Sequence, residues 1–232
     1  MNRSILITGA NRGIGLGLAC SYAADGWQVH ACCRKPDTAQ ELAAAARAMP
    51  YQLKMHRLDV CVSSQIDELA DHLSHITLDM LVNNAGTDTP AGQTLGTVDQ
   101  REWQRVFATN VIGPAMLTRS LLPLLERADA PLIVNLASRQ GSLTLNSSGH
   151  RYPYRTSKAA LNMLTRCLAI DLRERGVACV SIDPGWVQTR LGGAGATFSV
   201  SDSVTGIRAV VAGLDLADTG RFLDYRGQEV PW

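Results

Sequence analysis

No stretch of about 18 consecutive apolar residues occurs, so nothing reads as a membrane-spanning helix. There is no excess of charge of one sign: 22 Lys and Arg face 21 Asp and Glu, a net charge of +1, and the cations are scattered. That pattern lacks the basic face of a nucleic-acid binder. The first apolar run begins at Ser4, which leaves no room for a cleaved leader, and a cytoplasmic protein is expected. The cysteines (Cys20, Cys32, Cys33, Cys61, Cys167, Cys179) form no C-x-x-C pair. The histidines (His30, His56, His72, His75, His150) share no helix face at ligand spacing. No metal site is expected, and the thiols read as small hydrophobes of a reducing compartment. The histidines read as structural or solvent-facing. Repeats, linkers and low-complexity tracts are absent, and the Ala-rich run Leu42–Ala48 is helix.

What is present suits one α/β domain: 232 residues, 46% of them hydrophobic, enough to cover both faces of a sheet. The spacing predicts strands at 3–8, 27–33, 51–58, 78–83, 130–137, 177–182 and 221–225. It predicts helices at 13–25, 38–48, 63–75, 99–126, 152–175 and 201–214, with Pro123 ending or kinking the fourth. Strict alternation implies a parallel sheet with right-handed crossovers. Cys32 and Cys33, adjacent on a strand, should point to opposite faces.

Two motifs carry chemistry. Between the first strand and helix lies Thr8-Gly9-Ala10-Asn11-Arg12-Gly13-Ile14-Gly15. Glycines there permit a tight turn, and the helix N-terminus offers free N–H groups to a pyrophosphate. Alone, it also admits the plainer reading of a glycine-rich turn before a helix. Further on, Tyr154 and Lys158 stand at i and i+4, on one helix face. A Lys charge beside a phenol favours phenolate and makes Tyr a usable general acid/base. Alone, such a pair is usually a surface coincidence.

Together the motifs resemble the short-chain dehydrogenase/reductase family, compact branch, nearly end to end. The resemblance extends to Asp59-Val60, Asn83-Asn84-Ala85-Gly86, Asn110, Ser138 and Pro184-Gly185-Trp186-Val187-Gln188-Thr189. The ending Asp218–Phe222 through Val230-Pro231-Trp232 resembles its C-factor and sniffer-type carbonyl reductases. The resemblance implies a Rossmann-type, doubly wound parallel sheet of about seven strands, with a cofactor half near 1–130 and catalytic elements near 131–232. It implies Tyr154 as proton donor to a carbonyl, Ser138 orienting the same oxygen, Lys158 on the nicotinamide ribose, and Asn110 positioning a proton relay. Out of this context Ser138 is a strand-end cap and Asn110 a polar helix kink. Gly9, Asn11, Arg12, Gly13, Ile14 and Gly15 would cradle the dinucleotide. Asp59, Val60, Asn84, Ala85 and Gly86 would meet its adenosine side, and Pro184, Gly185, Val187 and Thr189 its carboxamide side.

Charge predicts which dinucleotide. The second strand ends in Cys33 followed by Arg34 and Lys35, with Arg12 nearby and no carboxylate in the position that selects NAD. Asp37 or Thr38 reads as a helix cap. NADP(H) is therefore expected. Around the substrate, Gln140, Leu143, Leu145, Trp186 and residues 190–197 are mostly apolar, and Arg139, Arg151 and Arg190 are the cations that could point inward. A small-molecule aldehyde, ketone or quinone is the expected partner. Ser138 and Tyr154 stand further apart than the family pattern, with the extra residues in Asn146–Arg151, and the short interval 190–220 predicts a minimal, mobile lid. Leu117, Leu121, Leu161, Leu164 and Leu168 could serve a homo-oligomer built on the helices at 99–126 and 152–175, or simply face the sheet. Two rival functions are an NADP-binding signalling protein and an epimerase of the extended branch. The second expects a further substrate domain, which this sequence does not contain.

Overall fold

In the computed structural model, which describes residues 3–89 and 94–232, strand and helix alternate as the pattern requires. The strands are β1 (Ser4–Thr8), β2 (Gln28–Cys33), β3 (Leu53–Arg57), β4 (Met80–Asn83), β5 (Leu132–Leu136), β6 (Ala178–Asp183) and β7 (Phe222–Asp224). The helices are α1 (Gly13–Ala24), α2 (Gln40–Ala48), α3 (Ser63–His72), α4 (Gln100–Phe107), α5 (Gly113–Leu125), α6 (Tyr152–Asp171) and α7 (Val200–Ala212). The strands pair in parallel in the order β3-β2-β1-β4-β5-β6-β7. The order reverses between β1 and β4, the switch point at whose strand C-termini doubly wound sheets bind their ligands.

Alternate residues of each strand feed two cores. Ile5, Ile7, Val29, Ala31 and Cys33 pack with α1, α2 and α7. Leu6, Cys32, Leu81, Ile133 and Cys179 pack with α3, α5 and α6. Cys32 and Cys33 thus face opposite layers, as pleating demands. Fully burying each Leu or Ile contributes about 1.5–3 kcal/mol, so the two cores hold the strand ends in fixed register.

Three expectations are corrected. The helix over 99–126 is two helices, α4 and α5, joined by a π turn at Ala108–Ile112. Pro123 does not end α5; it and Arg119 are both exposed, so water can satisfy the carbonyl left without a donor. Neither Asp37 nor Thr38 caps α2, which starts after a 3-10 turn at Pro36–Thr38. Instead Asp37 pairs with Arg57 at 2.7 Å, and the Thr38 hydroxyl donates to the Lys35 carbonyl at 3.2 Å.

Three histidines scattered in sequence meet across β2, β3 and α3. His30 Nδ1 and His56 Nε2 are 3.0 Å apart, and the His56 and His72 ring centroids 5.8 Å. Burial, together with neighbouring cations, pushes His30 down to about 3 and His56 to about 4. No group among the described residues is arranged to hold a metal ion.

Candidate active site

The glycine turn joins β1 to α1 with Arg12 just ahead of the helix. Gly9 takes φ +65°, a left-handed conformation that glycine adopts without strain. A Cβ on Gly15 would lie 2.4 Å from Asn84 Nδ2 and 2.5 Å from the Gly9 oxygen, so only glycine fits. Asn84 is a brace: its Nδ2 donates to the Thr8 and Gly9 carbonyls at 2.6 and 3.2 Å. Thr8 Oγ1 in turn accepts from the Asn84 and Ala85 amides at 3.0 and 2.9 Å. This latch between β1 and β4 holds Gly86 beside the catalytic helix, and nothing in sequence spacing singled out Thr8.

The remaining cofactor-side residues gather at the same strand ends. Asn11 and Ile14 are partly buried in and after the turn. Asp59 accepts from the Cys61 amide at 3.0 Å, and Val60 is buried beside it. The 184–189 segment follows β6: Pro184 accepts from the Ser203 hydroxyl, Gly185 has φ +81°, and Val187 is buried. Thr189 reaches back to the turn, its Cγ2 3.1 Å from where a Cβ on Gly13 would stand. Arg12 and Arg34 are both exposed, and no ion pair among the described residues engages either. An NADP(H) fits this arrangement: a cradle that Cβ atoms would fill, a helix N-terminus, and two uncommitted guanidiniums with Asp37 turned away to Arg57.

Tyr154 and Lys158 lie on the first turns of α6, both buried. Ser138, just beyond β5, lies near enough to Tyr154 to favour its phenolate, and its Oγ accepts from the Gln140 amide at 3.2 Å. Burial pushes the Tyr154 phenol up to about 12; the Arg151 guanidinium and the nearby Ser138 hydroxyl oppose it, while Asp88 and Asp183 add to it. Lys158 is not what depresses this phenol. Its ammonium donates to the Leu136 carbonyl at 2.7 Å, 5.8 Å from the Tyr154 ring centroid. Burial lowers Lys158 to about 8, with Asp183 opposing.

Asn110 sits in the π turn, where its side chain is fully committed. Nδ2 donates to the Thr87 carbonyl at 2.9 Å and to Ser157 Oγ at 3.0 Å, and Oδ1 accepts from the Thr87 amide at 2.9 Å. Ser157 passes its proton on to the Tyr154 carbonyl at 2.8 Å. Both amide hydrogens are used, so the Asn110 side chain clamps α6 to the segment after β4.

On the substrate side, Arg139 does not point inward: it bonds the buried Asp183 at 2.9 Å and Asp224 at 3.3 Å. Arg190 is exposed. Arg151 is the cation the fold brings to the site, with Asp88 and Gln140 as partners; sequence spacing missed Asp88. Leu143, Leu145, Trp186 and Leu191, expected on the substrate side, are exposed apolar groups. The segment expected as a minimal lid is tied by hydrogen bonds to the stretch just before it. Trp186 Nε1 donates to the Gly192 carbonyl at 2.8 Å, and Gln188 to that of Ala196 at 3.1 Å.

A parallel sheet with a glycine cradle at its switch point, and a buried Tyr-Lys pair beside a half-buried Ser138, define a dinucleotide-dependent oxidoreductase. Residues 3–196 match the short chain dehydrogenase family model, and the chain belongs to that family. It is 44% identical over 155 residues to a Myxococcus xanthus protein named C-signal, covering 67% of this chain and 93% of that one. An NADPH-bound carbonyl reductase from chicken fatty liver superposes with a TM-score of 0.93 at 36% identity, covering 100% of this chain and 99% of that chain. The carbonyl reductase Sniffer of D. melanogaster superposes with a TM-score of 0.94 at 33% identity, with 100% of both chains covered.

Proposed function

We propose that this protein reduces an aldehyde, ketone or quinone to an alcohol with NADPH. The observation that carries the reading is the buried Tyr154 one helical turn ahead of the buried Lys158 on α6, beside Ser138 at the end of β5 and at the strand ends where the glycine cradle also lies. NADPH, when bound, supplies the hydride. Ser138 and Tyr154 hydrogen-bond the carbonyl oxygen and orient it, and Tyr154 releases its proton to that oxygen as negative charge develops there. Lys158 presents an ammonium that holds the ribose. Arg12 and Arg34 take the 2′-phosphate. Asn110, through Ser157, keeps the turn that carries Tyr154 and Lys158 in place. The exposed apolar rim fits carbonyl compounds with apolar bodies and supports broad specificity.

The test is NADPH consumption against a panel of aldehydes, diketones and quinones, run with the native protein and Tyr154→Phe. Turnover of several members, reduced by the 10²–10⁴ typical of lost acid catalysis in the variant, supports the reading. A native protein inert to the whole panel, or a variant as active as the native one, defeats it. A second reading, an NADP-binding signalling protein with secondary turnover, is favoured by the likeness to the M. xanthus C-signal protein. It expects tight NADPH binding with no turnover of the panel.

We place the protein in the cytoplasm. Its six cysteines are free thiols, and no helix among the described residues is long and apolar enough to cross a membrane. We also propose that it self-associates, though not through the leucines expected. Leu117, Leu121 and Leu161 are buried, and Leu164 and Leu168 only partly exposed. The exposed apolar groups are instead Ile112 beside α5 and Met163 and Ile170 on α6, with Cys167 between the latter two.

A further inference from the structure

The lengthened loop before Tyr154 ends in three successive left-handed residues: Gly149 (φ 61°), His150 (57°) and Arg151 (50°). Side chains other than glycine resist this conformation, and two in a row persist only where contacts over-determine them. The reversal delivers Arg151 to the position just before α6. Its guanidinium carbon lies 4.7 Å from the centroid of the Tyr154 ring. Two other segments hold it there. Nη1 donates to Gln140 Oε1 at 2.9 Å, and Nη2 to the Asp88 carboxylate. Arg151 is about one-third exposed (37%) and Asp88 nearly buried (14%), so solvent does not screen the pair away.

We propose that Arg151 is a positioning residue for the acid of this site: lying on the ring face of Tyr154, with Asp88 as its counter-ion, it sets the pH at which the phenol holds its proton. The proposal rests on Tyr154 being that acid. An aromatic face is negative, and far more so in a phenolate, so a cation on it favours the deprotonated ring. The other charges facing Tyr154 are Lys158 from its own helix and Asp183 from the end of β6. Lys158 is turned to the Leu136 carbonyl, and Asp183 is paired with Arg139. Arg151 favours the phenolate and Asp88 disfavours it, so the two act in opposite directions. The loop extension thus supplies what the buried Lys158 does not give in this arrangement.

The test compares Arg151→Met, Arg151→Lys and Asp88→Asn with the native protein. Two readouts are used: the pH profile of kcat/KM for carbonyl reduction, and the phenolate absorbance titration of the free protein, with Tyr154→Phe subtracted to isolate one ring. Arg151→Met should move the alkaline limb and the titration upward by about one pH unit. Asp88→Asn should move both downward, and Arg151→Lys should fall between Met and native. A uniform loss of rate in Arg151→Met with unmoved limb and titration overturns the proposal, as do shifts of the same sign in the Met and Asn variants. If Arg151→Met does not fold by circular dichroism, Asp88→Asn decides alone, and an unshifted titration there is fatal. If Tyr154→Phe retains carbonyl reduction, the functional reading falls while the titration still judges Arg151.

Discussion

Lys158 Nζ donates to the Leu136 carbonyl at 2.7 Å, so the ammonium one helical turn after Tyr154 is held by the last residue of β5. The bond secures a buried cation whose one nearby carboxylate among the described residues, Asp183, is shared with Arg139. Lys158→Ala is expected to lose at least tenfold in NADPH affinity, the equivalent of one charge-assisted hydrogen bond, and to lose turnover as well. Fluorescence titration and single-turnover kinetics separate the two. Unchanged affinity would mean that Lys158 never reaches the cofactor.

Arg34 lies beyond the buried end of β2 with no ion partner among the described residues. Arg34→Asp should weaken NADPH by about 10–150-fold, since hydrogen bonds to charged groups contribute about 1.5–3 kcal/mol, while improving NADH. Equal affinities of the native protein for the two dinucleotides would refute this assignment.

Gly15→Ala forces a methyl to within 2.5 Å of both Asn84 Nδ2 and the Gly9 oxygen. One of these must move, at about 1–3 kcal/mol for an overpacked site. Chemical denaturation should show that loss together with weaker dinucleotide binding. Native-like values for both would mean that the turn is looser than its contacts indicate.

His30 and His56 are held neutral, with folded values near 3 and 4 against an ordinary 6.5. Above pH 6.5 neither state binds the protons, and stability is complete. As pH falls below 6.5 the unfolded chain protonates while the folded one does not, so stability drops by about 2–4 kcal/mol between pH 7 and pH 5. Urea melts of the native protein and of His30→Val/His56→Val should diverge over that window. Parallel acid limbs would show that the histidines are charged in the fold.

Met163 and Ile170 are 64% and 68% exposed on α6. Met163→Glu with Ile170→Lys should convert an assembly into monomers by light scattering, leaving the helix content intact. A native protein that is already monomeric at micromolar concentration removes the interface from consideration.

The sheet was readable because each strand is a short apolar run between helical repeats, and buried parallel strands need nothing more. Tyr154, Lys158, Ser138 and the glycine turn were readable because spacing along a helix or turn is fixed by local geometry. Contacts between distant segments were not. Arg151 on Tyr154 depends on three left-handed residues in a row, and His150 and Arg151 carry no side-chain signal for that conformation. His30, His56 and His72 belong to three elements whose side-by-side placement only the sheet order decides. The leucines of α5 and α6 were ambiguous because an apolar stripe does not say whether it meets a sheet or a partner.

The π turn at Ala108–Ile112 also fixes a rotational phase. One residue added to a helix turns everything before it by about 100° relative to everything after. That offset lets α5 present Leu117 and Leu121 to the sheet, while α4, upstream, presents Trp103 to α6, its Nε1 donating to Thr156 Oγ1 at 3.1 Å. Deleting any one residue of the five would restore an ordinary helix and swing α4 off α6. Asn110 would leave Thr87 and Ser157 in the same movement. Length within this short stretch is therefore constrained more tightly than side-chain identity, and insertions tolerated in loops elsewhere should not be tolerated here.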